Sequence, residues 1–474
     1  MFTIPDSQVQ TRLTSENPWW TDTDALPYRE MRPRAYLPLL LSLVAESTVR
    51  RAVLVMGPRR VGKTVLLHHV VQRLLVDGVD PRSIVFCSVD HPLYNGRALE
   101  ELLTLAEGAS RTAPKYVFFD EIQYLSRWEV HLKSLVDHRP ALKVTVSGSA
   151  AAALRLRSQE SGAGRFTDFL LPPLTFHEYL DLTGTDSGVA SSPESGWSAI
   201  SDLSKLNDAF VEYINYGGYP EVALSAEIRA NPQRFVKHDI IDKVLLRDLP
   251  SLYGIEDIQE LNYLFTTLAY NTAQEVSLET LSKDRGIAKN TVRRYLEYLE
   301  AAFLIRRVYR VDRSAKRFKR ETHFKVYLTN PSMRAALFGP VDADDDAMGA
   351  LVETAVFAQW FHAATGLHYA RWKDGEVDMV SVEGAVSPYW VTEIKWSDRP
   401  LTDSRGCLRA VVEFARTNGL KEATATSRSG SGSRMIDDVT VHVIPSAVLC
   451  FDVGRNLVGG KVERMLRGAA KTGA

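Results

Sequence analysis

One octapeptide limits what this chain can fold into. Gly57-Pro58-Arg59-Arg60-Val61-Gly62-Lys63-Thr64 follows the short apolar run Arg51–Met56 and opens the helical stretch Lys63–Val76. A loop bounded by glycines and ending in Gly-Lys-Thr lets successive backbone N–H groups curl around an anion at a helix N-terminus. Strand, loop and helix in that order also demand a sheet that the helix can cover. In such a loop Gly57 to Thr64, with Val65 behind them, cradle the phosphates of a nucleotide. Lys63 then offsets charge on the β- and γ-phosphates, and the Thr64 hydroxyl completes the coordination of magnesium.

A second element fits the first. Tyr116-Val117-Phe118-Phe119 is an apolar strand that ends in Asp120-Glu121. Asp120 is placed to hold magnesium, and Glu121 to orient and deprotonate the water that attacks the γ-phosphate. The expected ligands are therefore ATP and magnesium. Two further residues are candidates. Ser149, in Ser147-Gly148-Ser149 after the strand Lys143–Val146, suits a polar sensor of the γ-phosphate, although a Ser/Gly turn accounts for it equally well. Arg165, after Gly164, suits an arginine finger acting in cis or from a neighbouring copy in a homo-oligomer; a solvated surface arginine is the plain alternative.

The 474 residues are too many for one core and suggest about three or four domains. Strand-like and helical runs alternate through residue 146, the pattern of a parallel sheet with helices on both faces. The segment 184–196 is nearly devoid of large apolar residues and reads as a loop, and helical patterns resume from Ser201 to about Val244. The acidic stretch 339–346 marks another boundary. Three widely spaced cysteines, one of them necessarily odd, fit a reducing cytosol, and no CxxC pair suggests zinc. The N-terminus lacks the cationic start and apolar run of a signal peptide, and no apolar run approaches a bilayer span, so a cytoplasmic protein without membrane contact is expected. A net charge of −1 announces no global attraction to nucleic acid, so any such partner must be read from local patches.

One such patch stands out. Ser277–Leu281 begins a short helix, Gly286-Ile287 makes a turn, and Ala288–Ala301 forms a second helix with Val292, Leu296 and Leu299 inward: a helix-turn-helix pattern. Lys289, Asn290, Thr291, Arg293 and Arg294 occupy the first turns of that second helix, where a recognition helix meets the major groove. Next come Arg306, Arg307, Arg310, Arg313, Lys316, Arg317, Lys319, Arg320 and Lys325, opposed only by Asp312 and Glu321, with Tyr309 and Phe318 interleaved. This reads as a basic β-hairpin wing over a phosphate backbone, and so as DNA binding. The plain alternatives are a solvated face or a protein-binding module.

The last section carries acids at suggestive spacing. Glu353 lies on an opening helix, Glu376-Val377-Asp378 starts one strand, and Glu393-Ile394-Lys395 ends the next. Period two puts Glu393 and Lys395 on one face of their strand. Glu353, Asp378 and Glu393 can then share a magnesium ion, with Lys395 beside the scissile phosphate, the parts that metal-assisted phosphodiester hydrolysis needs. Three carboxylates together repel unless a cation sits among them.

These motifs, with Asn17-Pro18-Trp19-Trp20, Phe118–Gln123, Pro173–Tyr179 and Gly217–Glu221, run in an order similar to that of a large prokaryotic family of AAA-type ATPases with a C-terminal restriction-endonuclease-like domain. The resemblance covers nearly the whole chain. Val377 stands where a proline often precedes the metal-binding aspartate of such nucleases, a mild departure because the carboxylates and lysine are retained. The resemblance implies an α/β architecture: an AAA-type P-loop domain with N-terminal extension (1–180), a helical lid (181–255), a winged helix (256–335) and a restriction-endonuclease-like α/β domain (345–474). It implies an ATP hydrolase coupled to DNA processing, repair or defence, with magnesium-dependent deoxyribonuclease chemistry. The rival expectation is a nucleotide-switched regulatory ATPase whose C-terminal part binds partners or DNA without cutting.

Overall fold

The computed structural model describes residues 4–46, 49–149, 164–185, 188–190, 197–284, 286–318, 322–363, 366–383 and 387–458. The chain divides into two compact units, Met1–Leu171 and Pro172–Ala474. The expected lid, winged-helix and C-terminal stretches thus share the second unit. Among the described residues, no helix is long and apolar enough to cross a membrane.

The first unit is built on five parallel strands: β1 (Ala52–Met56), β2 (Ile84–Ser88), β3 (Tyr116–Asp120), β4 (Lys143–Gly148) and β5 (Phe166–Leu170). Their order in the sheet is β2-β3-β4-β1-β5, so β4 lies between the strand that feeds the octapeptide and the strand that ends in Asp120. β1 and β3 are buried along their whole length, which is why they read as unbroken apolar runs. The helix α1 (Asp6–Glu16) runs at the N-terminus, α2 (Leu37–Ala45) precedes β1, and α3 (Lys63–Val76) follows the loop. The face of α3 bearing Leu66, Leu67, Val70, Val71 and Leu74 is buried. Burying each such side chain contributes roughly 1.5–3 kcal/mol.

Strand β2 is an edge strand, and the N-terminal segment covers it with side chains. Asn17 accepts from Phe86 N (2.6 Å) and donates to Phe86 O (2.8 Å), as a neighbouring peptide group would. The indoles of Trp19 and Trp20 both donate to Ile84 O, and Glu16 accepts from Ser88 N. This is the structural work of the Asn17–Trp20 motif.

The second unit opens with a helix, α4 (Phe176–Thr183), whose Thr175 side chain and Glu178 form a reciprocal cap. A two-strand ribbon, β6 (Val189–Ala190) and β7 (Ala199–Ile200), leads to α5 (Leu203–Tyr216). The expected loop 184–196 lies partly on this ribbon and partly outside the described residues. Then come α6 (Ile258–Tyr270), β8 (Glu275–Ser277), α7 (Leu278–Lys283), α8 (Lys289–Ala301), β9 (Ile305–Val311) and β10 (His323–Leu328). β10 pairs antiparallel with both β8 and β9.

That small sheet does not end there. β9 pairs in parallel with β11 (Leu367–Trp372), and β11 continues antiparallel into β12 (Gly375–Glu383) and β13 (Ser387–Glu393). The sheet goes on through β14 (Glu422–Ser427) and β16 (Val439–Pro445), with β15 (Gly432–Ile436) at the far edge, in the order β15-β16-β14-β13-β12-β11-β9-β10-β8. Helices α9 (Met348–Gln359), α10 (Arg409–Thr417) and α11 (Ser446–Val458) cover this sheet. One core gathers Leu351, Ala355, Tyr369, Met379, Trp390 and Leu449, and a second gathers Val377, Val391, Val411 and Phe414. Val377 and Met379 are two apart on β12 yet enter different cores, because the β11–β12 register shifts between His368 and Ala370 and breaks the period-two alternation there.

Candidate functional sites

In the first unit the loop geometry follows from two glycines. A Cβ on Gly57 would stand 2.2 Å from Leu171 O, so no side chain fits there. Gly62 takes φ 88°, the left-handed turn from which α3 starts at Lys63. Lys63 is buried, and its ammonium donates to Gly57 O (3.1 Å) and Pro58 O (2.8 Å). Burial pushes its pKa down, while Glu121 and Asp120 push it up. An ammonium so buried, with carbonyl oxygens as its hydrogen-bond partners, fits an incoming polyphosphate.

Thr64 and Asp120 meet across the loop. Thr64 Oγ1 donates to Asp120 Oδ2 at 2.6 Å, and Asp120 is 2% exposed. Ser147 Oγ donates to the other oxygen, Asp120 Oδ1, and accepts from Glu121 N (3.3 Å). A hydroxyl and a carboxylate oxygen in contact form the hard-oxygen set that suits magnesium. Glu121 lies just beyond the strand at φ 54°, an uncommon conformation for a non-glycine residue. Burial raises its pKa, with the Lys63 charge opposing. Gln123 Nε2 donates both to Glu121 Oε2 and to Ser149 Oγ. Ser147 therefore holds the acid pair directly, and Ser149 touches it through Gln123. In sequence the two serines look alike; what separates them is that β4 ends at Gly148, so Ser147 lies on the strand beside Asp120 and Ser149 falls beyond it.

Arg165 takes a different place. It precedes β5 beside Ala52, at the start of β1, whereas the loop follows the other end of β1. Its guanidinium donates to Asp137 at 2.7 Å. An arginine at that end of the sheet does not reach the phosphates of its own loop, which corrects the cis form of the expectation.

The second unit gathers the C-terminal acids, but around lysines. Lys325, on β10, has a side chain only 5% exposed; it contacts Glu353 Oε1 (2.9 Å), Glu376 Oε1 (2.8 Å) and Asp378 Oδ1 (3.4 Å). Tyr327, two residues on and so on the same face, donates to Glu353 Oε1 at 2.6 Å. Lys395 Nζ bridges Asp378 Oδ2 (3.3 Å) and Glu393 Oε1. Ile394 N donates to Asp378 Oδ2 at 2.9 Å. Glu393 Oε2 is buried without a hydrogen-bond partner among the described residues.

Burial and the nearby Asp378 charge lift Glu353 to about 7 and Glu393 to about 8. Burial also works against the charged Asp378, yet Lys395 and Lys325 hold its carboxyl below the usual range. Both lysines resist deprotonation, because the carboxylates outweigh their desolvation. Among the described residues, no group of three or more His, Cys, Asp or Glu side chains is arranged to hold a metal ion. Glu353, Asp378 and Glu393 are brought together, with Lys325 and Lys395 among them. Glu353 is engaged by Lys325 and Tyr327, and the charge that three carboxylates need comes from ammonium groups. Lys325 escaped the sequence reading because it was counted in the basic run; a lone lysine at a buried period-two position was the available signal.

That run changes meaning too. Arg306 is half-buried, its guanidinium donating to Trp360 O; Arg307 is bound to Glu300, Arg310 to Glu275 and Arg313 to Glu413. Acids outside the run thus pair with four of its nine cations, Arg307, Arg310, Arg313 and Lys325, and the outer edge of β9 is taken by β11. Lys316 and Arg317 are exposed, while Lys319, Arg320 and Glu321 lie outside the described residues. On α8, by contrast, Lys289, Asn290, Arg293 and Arg294 are exposed while Val292, Tyr295, Leu296 and Leu299 are buried.

Comparison with known proteins agrees with the first unit. Residues 49–180 match the AAA domain family. The chain carries an AAA-type P-loop ATPase domain. Residues 207–344 match a second family, described as a domain of unknown function (DUF8612). Similar curated proteins include "Uncharacterized protein MJ1544" of Methanocaldococcus jannaschii, 24% identical over 334 residues, which covers 68% of this chain and 70% of that one. An "Uncharacterized protein" of Haemophilus influenzae is 24% identical over 336 residues, covering 69% and 78%. Among solved structures, AMPPCP-bound DnaA from Aquifex aeolicus aligns at 12% identity over 60% of this chain and 92% of that chain, with a TM-score of 0.28. The Hsp104:casein complex of S. cerevisiae aligns at 15% identity over 94% and 80%, with a TM-score of 0.30.

Proposed function

We propose that the AAA domain binds ATP with magnesium in the loop Gly57–Val65 and hydrolyses it. The observation that carries this reading is the Thr64–Asp120 contact at 2.6 Å beside a buried Lys63. Magnesium, when bound, supplies charge that offsets the β- and γ-phosphates. Thr64 and Asp120 offer its oxygen ligands, with Ser147 fixing the carboxylate. Lys63 leaves the carbonyls of Gly57 and Pro58 for the phosphate oxygens. Glu121, its pKa raised by burial, accepts a proton from the attacking water, and Gln123 orients it. Arg165, remote from its own loop, serves only if a second copy presents it. Two variants test the reading: Lys63→Ala loses tight ATP binding, and Glu121→Gln binds ATP but does not hydrolyse it. Normal turnover by Glu121→Gln removes Glu121 as the base.

The second unit supports a DNA-processing role. The segment from α6 to β10 follows the order of a winged helix, and the exposed cations of α8 stand where such a fold meets the major groove. In the C-terminal sheet Asp378, Glu393 and Lys395 meet at the ends of adjacent strands. Magnesium usually takes one or two carboxylates plus substrate phosphate, so Asp378 and Glu393 suffice. The unpartnered Glu393 Oε2 and the excess of acids over the two lysines favour a cation there. Incubation with labelled duplex, single-stranded and branched DNA, with magnesium or manganese and with or without ATP, tests cleavage. Loss of cutting in Asp378→Ala and Lys395→Ala, with ATP turnover kept, supports it. No cutting, with slow turnover and nucleotide-dependent assembly, favours the regulatory ATPase instead.

A further inference from the structure

The loop is gripped from outside by a residue of the N-terminal segment. Arg34 is 4% exposed, and its Nη1 donates to Val61 O at 2.6 Å, across 27 residues of chain. Its guanidinium also lies 5.6 Å from the centre of the fully buried Tyr36 ring. The same segment is fastened at two more points to the helix that follows the loop. Gln72 Nε2 donates to Pro27 O (2.8 Å), and His69 Nε2 lies 3.2 Å from Tyr28 O. The stretch from Pro27 to Tyr36 is thus a strap across the loop and α3.

What Arg34 holds matters for phosphate binding. The peptide between Val61 and Gly62 is planar and trans, so its C=O and N–H point in opposite directions. Gly62 has no side chain and stands at φ 88°, so nothing on the residue itself keeps this peptide from turning over. A guanidinium on the carbonyl does. Burying a guanidinium costs free energy unless its hydrogen bonds are good, so this one is tied to its carbonyl.

We propose that Arg34 is a positioning residue of the nucleotide site: by holding Val61 C=O on the outer side, it keeps Gly62 N–H turned toward the phosphates. The proposal rests on the reading of the loop as an ATP site. It makes the N-terminal strap a working part of that site, although it lies outside the residues that match the AAA domain.

The test uses the full chain and measures ATP binding by calorimetry, with KM and kcat from steady-state turnover. Arg34→Gln should weaken ATP binding and raise KM about tenfold or more, the size of one charge-assisted hydrogen bond, with kcat largely kept. Arg34→Lys should recover part of the affinity, because an ammonium can donate to the same carbonyl; it also serves if the glutamine variant does not fold. A role confined to fold stability would lower Tm and leave KM unchanged below it. Wild-type KM in folded Arg34→Gln overturns the proposal while leaving the ATP site intact. Failure of the wild type itself to bind ATP, with Lys63→Ala no different, overturns the ATP reading and this proposal together.

Discussion

Replacing Lys325 by methionine separates a charged centre from a decorated sheet end. Methionine keeps most of the buried stem and removes only the ammonium. Three carboxylates then lose their shared partner. Two of them, Glu353 and Asp378, have side chains only 13% and 10% exposed, while Glu376 at 34% is screened by water. Removing one partner of a buried ion pair costs about 3–5 kcal/mol, because the other charge stays behind uncompensated. Asp378 keeps Lys395 and Ile394 N, and Glu353 keeps only Tyr327 among the contacts described above, so most of the loss falls on Glu353. We therefore expect Lys325→Met to destabilise the second unit by ~3 kcal/mol. The double variant Lys325→Met/Glu353→Gln should recover at least half of that, since a neutral amide needs no counter-charge. Urea unfolding followed by tryptophan fluorescence, fitted with a transition for each unit, measures both. A loss below about 1 kcal/mol for the single variant, or no recovery in the double, would show that the cluster is solvated and the argument wrong.

Three further outcomes are expected. Ser147→Ala frees Asp120 and should cut kcat for ATP about tenfold or more while Ser149→Ala does less, as steady-state assays would show. His68, stacked on Phe86, is held neutral by burial with a pKa of about 4 against 6.5 for the free group. A folded pKa below the unfolded one means stability present above pH 6.5 and lost as pH falls toward 4, by up to ~3 kcal/mol; His68→Phe should flatten that part of the first unit's pH–stability curve. Finally, Arg293→Ala/Arg294→Ala should weaken DNA binding and reduce its salt slope by about one to two units without touching ATP affinity; an unchanged slope removes α8 from the interface.

What the sequence conveyed and what it hid differ in kind. The octapeptide and the strand ending in Asp120-Glu121 were legible because a phosphate loop constrains neighbouring residues: glycines at Gly57 and Gly62, a cation and a hydroxyl in fixed order. The period-two pairing of Glu393 with Lys395 was legible for the same local reason. Lys325 was not, since its partners sit on α9 and β12, and only the parallel pairing of β9 with β11 brings β10 to them. The basic run misled for the converse reason. Charge counted along the chain omits Glu275, Glu300 and Glu413, which the fold delivers to Arg310, Arg307 and Arg313. Arg34 was invisible because its partner is a backbone carbonyl, which every residue has.

The Asn17 side chain standing in for a peptide group has a practical consequence. An open edge strand is a template on which another chain can lay a strand, and amyloid-like growth begins at such templates. Here the ladder positions of β2 at Ile84, Phe86 and Ser88 are already taken by Trp19, Trp20, Asn17 and Glu16. Trimming the chain to the residues that match the AAA domain would strip that cover and leave Ile84-Val85-Phe86-Cys87, an apolar β-prone tetrapeptide, at a bare margin. A shortened version of this ATPase domain is therefore expected to clump during expression, and the first twenty residues are best regarded as a built-in chaperone for its sheet.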